Sequence, residues 1–268
     1  MEYLIKKWLV SGDKHGSFQY LIEDLKLFYD LYRPEELGII ILGDAGLNFY
    51  LNKTDEKKKA MLNNRGYKFY FVRGNHEARP EDLPNIKKVF DEEVNNHIYL
   101  EEEYPNIRYL LDGRDYMFGK FHALVLGGAY SIDKEYRLLN HYPWFPNEML
   151  TEEEMEQILR VVDGERYDFI LSHTCPVSWE PRDLFLPMID QSKVDKSMEN
   201  FLEEIEKKVW YYQWLFGHYH DDRLVRPGVE MFYHRLDSLD NIWERWDHYD
   251  TTGELPEGYA CDPKFFDN

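Results

Sequence analysis

Asp13 and His15 stand two residues apart in LVSGDKHGSF, residues 9–18, between Gly12 and Gly16. His218 and His220 repeat that spacing in GHYH. Asp44 follows Gly43, Asn75 and His76 follow Gly74, and His173 follows Ser172. All are oxygen or nitrogen donors, with no thiolate among them. Carboxylate, amide and imidazole together suit Mn, Fe, Zn, Ni or Co, and donor type alone does not choose among these metals. Asp13, His15, Asp44, Asn75, His173, His218 and His220 make seven candidate ligands. One tetrahedral ion takes fewer, whereas two ions sharing a carboxylate would use them all. Two ions ~3.5–4 Å apart clamp both the attacking and the leaving oxygen of a phosphoryl displacement. Taken singly, none of these motifs is diagnostic. A lone DxH arises by chance, a lone HxH can be a cross-strand pair, and Asn-His after glycine is often just a turn.

Their positions carry more than their types. An apolar run over residues 4–10 leads into the first motif, and Ile39–Leu42 ends at GDAGLN. Tyr67–Val72 ends at RGNHE, Phe121–Leu126 at GGAYS, Phe169–Leu171 at SHTCP, and Trp214–Phe216 at GHYH. Each run reads as a buried strand. Phe18, Leu21, Ile22, Leu25, Phe28, Tyr29 and Tyr32 recur at helical spacing, and Pro34 fits a stop after them. Met149–Val162 and Val194–Val209 read as further amphipathic helices, and RLVRPGVEMFYHRL as a hairpin turning at Pro227-Gly228. The alternation predicts α/β layers. Ligands of open α/β sheets bind beyond the carboxyl ends of strands, so the polar clusters at these ends can converge on one site. If the first strand stays extended through its motif, Asp13 and His15 leave the same face.

In their order, GDKHG, GDAGLN, RGNHE, SHTCP and GHYH resemble the calcineurin-like metallophosphoesterase superfamily, over Ser11 to about His220. GDKHG and RGNHE look closest to the serine/threonine protein phosphatases and the diadenosine tetraphosphatases. The resemblance implies a four-layer α/β/β/α sandwich with two divalent metals, Mn first among them, at the strand ends. Carried over by motif, Asp13, His15 and His220 would hold one ion, Asn75, His173 and His218 the other, and Asp44 would bridge them. A bridging hydroxide would attack phosphorus, and His76 would act as general acid, a role typically worth ~10²–10⁴-fold.

One departure matters. The protein phosphatases usually read GDxxDRG at the second motif, and here Leu47 and Asn48 stand where that Asp and Arg would be. The pattern therefore turns away from phosphoprotein and toward a small phosphodiester or phosphomonoester. Arg73, Arg79 and Arg137 are the candidates to replace the missing phosphate grip, with ion pairing the alternative for each. Asn48 is a candidate for a hydrogen bond near the metals, or for a plain turn role. Cys175 reads as a small buried hydrophobe and Glu77 as a turn-closing or ligand-supporting group. The aromatic stretch AYSIDKEYRLLNHYPWFPNE reads as core or as a loop over the substrate.

Composition bounds the rest. The 268 residues carry a net charge of −19, with 43% hydrophobic and 16% aromatic residues. Such a chain folds around a sizeable core and repels long duplex nucleic acid and anionic membranes. A phosphorylated small molecule or nucleotide-like substrate remains compatible, because bound cations reverse the sign locally. No run reaches the ~18–20 apolar residues of a membrane span. The N-terminus lacks the pattern of a signal peptide, and a cytoplasmic protein is expected. Cys175 and Cys261 form at most one bridge. The expected organisation is a catalytic domain over 1–236 and an extension over 237–268, rich in Trp and Tyr and with little clear periodicity, docked on it. A nuclease of nucleic-acid ends, a protein phosphatase and a non-catalytic metal-binding scaffold are the competing functions. The candidate general acid His76 weighs against the scaffold, which needs ligands but no acid.

Overall fold

A computed structural model describes residues 4–256. The first half of the chain builds one sheet from β1 (Lys7–Ser11), β2 (Leu37–Ile41), β3 (Lys68–Phe71), β4 (Ile86–Asp91), β5 (Asn96–Glu101) and β6 (Ile107–Tyr109). The second builds another from β7 (Arg114–Phe118), β8 (Phe121–Leu126), β9 (Arg166–Ser172), β10 (Trp210–Phe216), β11 (Arg223–Arg226) and β12 (Val229–Met231). The short β13 (Asp237–Ser238) then returns to pair antiparallel with β1. The strand orders are β13-β1-β2-β3-β6-β5-β4 and β11-β12-β10-β9-β8-β7. β1, β2 and β3 are mutually parallel, as are β8, β9 and β10. Parallel strands need crossovers, which here carry helices.

Alternation within the strands explains the layers. Ile40, Leu42, Tyr70 and Val72 face inward to meet Val125, Phe169, Leu171 and Leu215 of the second sheet. Ile39, Ile41, Phe69 and Phe71 face outward against α1 (Gln19–Leu25) and α2 (Lys53–Asn63). After the short α3 (Lys134–Leu139), α4 (Glu152–Val162) and α5 (Ser197–Lys208) cover the outer face of the second sheet, where they pack on Leu126, Ile170, Trp214 and Phe216. The result is the α/β/β/α sandwich that the motifs imply. Strands buried on both faces read as continuous apolar runs, and that is why they were visible in the sequence.

Several boundaries differ from expectation. The first helical pattern is α-helical only to Leu25. It tightens into a 3₁₀ turn over Lys26–Phe28, although Phe28 and Tyr32 still pack on the outer core. Pro34 opens a further 3₁₀ turn, where its missing N–H costs nothing. The Pro227-Gly228 hairpin forms, with Gly228 at φ 75°. Beyond residue 236, β13 extends the first sheet and α6 (Leu239–Thr252) follows. Leu239, Ile242 and Trp246 of α6 enter the core between the sheets, and Trp243 and Tyr249 pack against it. Glu230, fully buried on β12, ties α6 down by accepting Nη2–H of Arg245 at 3.0 Å and Nε1–H of Trp246 at 2.7 Å. The last part of the expected extension, with Gly258, Tyr259 and Cys261, lies outside the described residues.

Candidate metal centre

The parallel strands bring the turns after β1, β2, β3, β9 and β10 to one rim, and every candidate ligand lies on one of them. Asp13 and His15 leave the turn after β1, Asp44 the turn after β2, Asn75 and His76 the turn after β3, His173 the end of β9, and His218 and His220 the turn after β10. These turns are tight. His15, Asp44, His218 and His220 all have positive φ, at 45°, 46°, 71° and 55°. Non-glycine residues seldom adopt this region, and such strain persists where the surrounding structure enforces it. β1 ends at Ser11, so the pairing of Asp13 with His15 comes from this turn and not from strand pleating. Glycine is needed alongside for space. A Cβ on Gly74 would stand 2.0 Å from Asp44 Oδ1, and one on Gly217 would stand 2.4 Å from Asp13 Oδ1.

The donor atoms converge in two overlapping groups. In the first, His15 Nε2 and His220 Nε2 are 2.9 Å apart. Asp13 Oδ2 lies 3.2 Å from His220 Nε2 and 3.9 Å from His15 Nε2, and Asp44 Oδ2 lies 3.8 Å from His15 Nε2. In the second, His173 Nε2 is 2.8 Å from Asn75 Oδ1 and 3.6 Å from Asp44 Oδ1, with the His218 ring edge-on at 5.0 Å between centroids. Asp44 offers one oxygen to each group. Its Oδ1 also accepts the His76 N–H at 2.8 Å, and Asp13 Oδ1 accepts the His218 N–H at 2.9 Å. These two backbone bonds fix both carboxylates.

The donor chemistry fits cations. His173 Nδ1 faces the Leu42 carbonyl at 2.8 Å, so a neutral ring donates there and turns its Nε2 lone pair outward. That lone pair meets Asn75 Oδ1, itself an acceptor, since the Asn75 amide nitrogen donates to Ser131 Oγ at 2.8 Å. In that neutral tautomer two acceptors face each other 2.8 Å apart, a pair that a cation held by both would satisfy. Asp13 Oδ2 is likewise buried, with His220 Nε2 the nearer ring nitrogen at 3.2 Å. One donor atom from each of Asp13, His15 and His220 lies within 4.8 Å of the others, and the same holds for His15, Asp44 and His76, and for Asp13, Asp44 and His173. Asp44, Asn75 and His173 are buried, whereas His15 and His220 are open to solvent, so the centre has a closed floor and an accessible side.

Electrostatics follow the geometry. Burial opposes charge on Asp13, but the His220 hydrogen bond and the nearby His173 outweigh it and hold the carboxyl below its usual range. Burial opposes charge on Asp44 too, and His173, His76 and His15 overturn it in the same way. Burial, then His173, pushes His218 down to about 3, so it stays neutral and able to ligate. The hydrogen bond that His220 donates to Asp13 raises His220 in turn. Burial lowers His76, whose Nε2 sits 3.7 Å from Asp133 Oδ1 and whose ring stacks on Phe49.

The other candidates stand elsewhere. Arg73 is buried and donates to Asp112, to the Glu148 carbonyl and to the Gly127 carbonyl. Arg79 forms a two-toothed pair with Glu154 at 2.7 and 3.1 Å and also donates to the carbonyls of Asn147 and Met149. Arg137 is buried behind His76, donating to Asp133, to Ser131 Oγ and to the Pro143 carbonyl. Ion pairing, the alternative for these arginines, is thus where all three guanidinium groups are engaged. Leu47 joins the outer core, and the carbonyl of buried Asn48 accepts the Ala78 N–H at 3.0 Å, closing a turn. Glu77 accepts the Gly74 N–H at 3.3 Å, and Cys175 is fully buried in the outer core of the second sheet. Of the aromatic stretch, Tyr130, Ile132 and Asp133 reach the cavity beside the centre, while Tyr136, Leu138 and Leu139 face solvent. Sequence reasoning missed Ser131, which bridges Asn75 to Glu148, and Asp133 beside His76. Only the singling out of their loop pointed toward them.

The calcineurin-like phosphoesterase family model matches residues 6–222. The chain therefore belongs to that family, whose members are typically phosphoric ester hydrolases that bind two metals. No curated relative matches it. Among the described residues, no helix is long and apolar enough to cross a membrane.

Proposed function

We propose that this protein is a dimetal-dependent hydrolase of a small phosphomonoester or phosphodiester. The observation that carries the reading is the pair of facing acceptors, His173 Nε2 and Asn75 Oδ1, set beside a carboxylate that also serves the His15–His220 group. Asp13, His15 and His220 would hold one ion and Asn75, His173 and His218 the other, with Asp44 shared. When bound, such ions polarise the phosphoryl oxygens and make a water nucleophilic at neutral pH.

The chain's own groups do the remaining work. The backbone N–H groups of His76 and His218 hold Asp44 and Asp13 in register. Ser131 orients the Asn75 amide so that its oxygen faces His173. His76 donates a ring proton to the leaving oxygen, and Asp133, held by Arg137 Nε at 2.9 Å, steadies the charged ring. Arg73, Arg79 and Arg137 are engaged in ion pairs, so bound metals would have to hold phosphate without these three. The side chains of Leu47 and Asn48 fit this reading, since neither carries a charge for phosphate.

The test is hydrolysis of 4-nitrophenyl phosphate beside bis(4-nitrophenyl) phosphate, before and after chelation and Mn²⁺ reloading. Turnover of at least one ester that vanishes with the metal and returns on reloading is expected. Stoichiometric metal binding with no turnover of either ester would favour the scaffold.

A further inference from the structure

A cavity of about 310 Å³ opens directly beside the metal centre, sharing Asp44, Asn75, His76, His218 and His220 with it. Its far walls are mostly apolar: Ile132 and Tyr130 come from the loop after β8, Phe185, Leu186 and Val194, with the polar Gln191, from the irregular segment before α5, and Tyr219 from the turn after β10. Besides Asp44 and Asp133, a third carboxyl lines this space. Glu199, in the first turn of α5, is 3% exposed. Its Oε1 accepts Thr174 Oγ1–H at 3.0 Å, and Thr174 Oγ1 also meets the Tyr219 hydroxyl at 3.1 Å. Its Oε2 is buried and has no hydrogen-bond partner.

Nothing in the metal chemistry uses this oxygen. A buried acceptor left unpaired is costly, so it persists where something else satisfies it. Burial raises the Glu199 carboxyl to about 7, and its own backbone N–H, Thr174 and Lys196 only partly offset this. The cavity's lysine, Lys196, is itself tied to Glu180 at 2.5 Å.

We propose that this cavity binds the organic group of the phosphoester, and that the group is compact, largely apolar and tipped by a neutral O–H or N–H donor that Glu199 accepts. The inference rests on the dimetal reading for the position of the phosphoryl group. Its own content is the identity of the rest of the substrate. The volume lies at the small end of ligand cavities, which suits one compact group and not a polymer. A polyphosphate or nucleic-acid backbone would find no unpaired cation among the residues that line the space. A cationic tip would lie near Lys196, whereas a neutral donor avoids that repulsion.

Sites built to hydrogen-bond a substrate group reject the analogue lacking it far more strongly than apolar sites reject a missing methylene. The probes are therefore non-hydrolysable benzylphosphonates bearing, at the 4-position, hydroxymethyl against ethyl, 2-hydroxyethyl against propyl, and 3-hydroxypropyl against butyl. Their affinities for the Mn²⁺-loaded full chain are measured by calorimetry. At one length the hydroxyl compound should bind at least tenfold tighter than its alkyl partner. Glu199→Met should abolish that preference, and Glu199→Gln, which keeps a carbonyl acceptor, should retain part of it. If Glu199→Met does not fold, the wild-type series and Glu199→Gln still decide. Affinities within threefold at all three lengths, or a preference that survives Glu199→Met, would overturn the proposal. Discrimination by a protein that hydrolyses no phosphoester would keep this inference and defeat the dimetal reading. Metal-dependent hydrolysis without discrimination would do the reverse.

Discussion

Replacing Arg73 with alanine should destabilise the fold and leave phosphate affinity alone. Arg73 follows β3 at the edge of the GNHE turn, where its place in sequence suggests a phosphate grip. In the folded chain it is 3% exposed. Its Nε donates to Asp112 Oδ2 at 2.8 Å, its Nη1 to the Glu148 carbonyl and its Nη2 to the Gly127 carbonyl at 3.2 Å. Truncation strands the Asp112 carboxylate and both carbonyls. Breaking a buried ion pair by removing one partner costs about 3–5 kcal/mol. Asp112 keeps the Gly127 N–H at 2.7 Å and is 15% exposed, so its share falls toward the lower end. The two carbonyls would cost about 1–3 kcal/mol each if left dry, but the polar space opened by truncation admits water to them, so the total stays at roughly 3–5 kcal/mol. Domains of this kind are stable by about 5–15 kcal/mol, so the variant should remain folded in buffer. Urea unfolding of Arg73→Ala should show that loss at an unchanged slope, while KM for 4-nitrophenyl phosphate stays within about twofold. A KM raised tenfold or more, with less than about 1 kcal/mol lost in stability, would refute the structural role and restore the phosphate grip.

Three further outcomes follow from the site and its supports. His76→Ala should keep its full metal content yet slow phenyl phosphate by roughly 10²–10⁴-fold, and 4-nitrophenyl phosphate much less, because a good leaving group needs no proton. Equal losses on both esters would remove the proton-donor role. Asp133→Asn should show the same dependence on leaving group at smaller amplitude, with unchanged metal content; indifference to the leaving group would show that Asp133 does not act through His76. The hydrogen bond from Arg79 holds the Glu154 carboxyl down to about 2, below its unfolded value near ~4.3. Its contribution is thus complete above that unfolded value and fades as the pH falls through about 2. Glu154 is more than a third exposed, so Glu154→Gln should cost only about 1 kcal/mol at pH 7. By denaturant titration that cost should shrink on acidification, and a cost that grew toward low pH would contradict the pairing.

Much of the architecture was legible because its strands are buried on both faces. Phe121–Leu126 reads as an apolar run interrupted only by His122 and is β8 residue for residue. The metal centre was legible because short glycine-bounded motifs stand where such runs stop. The condition for a shared strand face is not met at one pair: β1 ends at Ser11, and Asp13 and His15 come together through a left-handed turn at His15. α2 passed unseen because KTDEKKKAMLN buries only Asp55, Lys59 and Leu62 and shows no apolar stripe. It starts instead on a local signal, the Asn52 side chain accepting the Thr54 N–H at 2.8 Å. α6 has Leu239, Ile242, Trp243, Trp246 and Tyr249 at helical spacing, but its inner face also carries Arg245, whose charge is met by Glu230 from another segment. The same non-locality hid the arginines and Glu199. Asp112, Glu154, Asp133 and Thr174 are far from, or unmarked beside, the residues they engage, and no local pattern announces a partner brought in by folding.

The most direct test of the account is the metal stoichiometry of the full chain, measured by elemental analysis after Mn²⁺ loading and removal of free ion. The arrangement predicts two ions per chain. His173→Ala should lose the ion that Asn75 and His218 share with it, and Asp44→Asn, which alters the one carboxylate common to both groups, should weaken both. Saturation at a single ion, with Asp44→Asn binding as tightly as the wild type, would contradict the shared carboxylate and with it the dimetal centre.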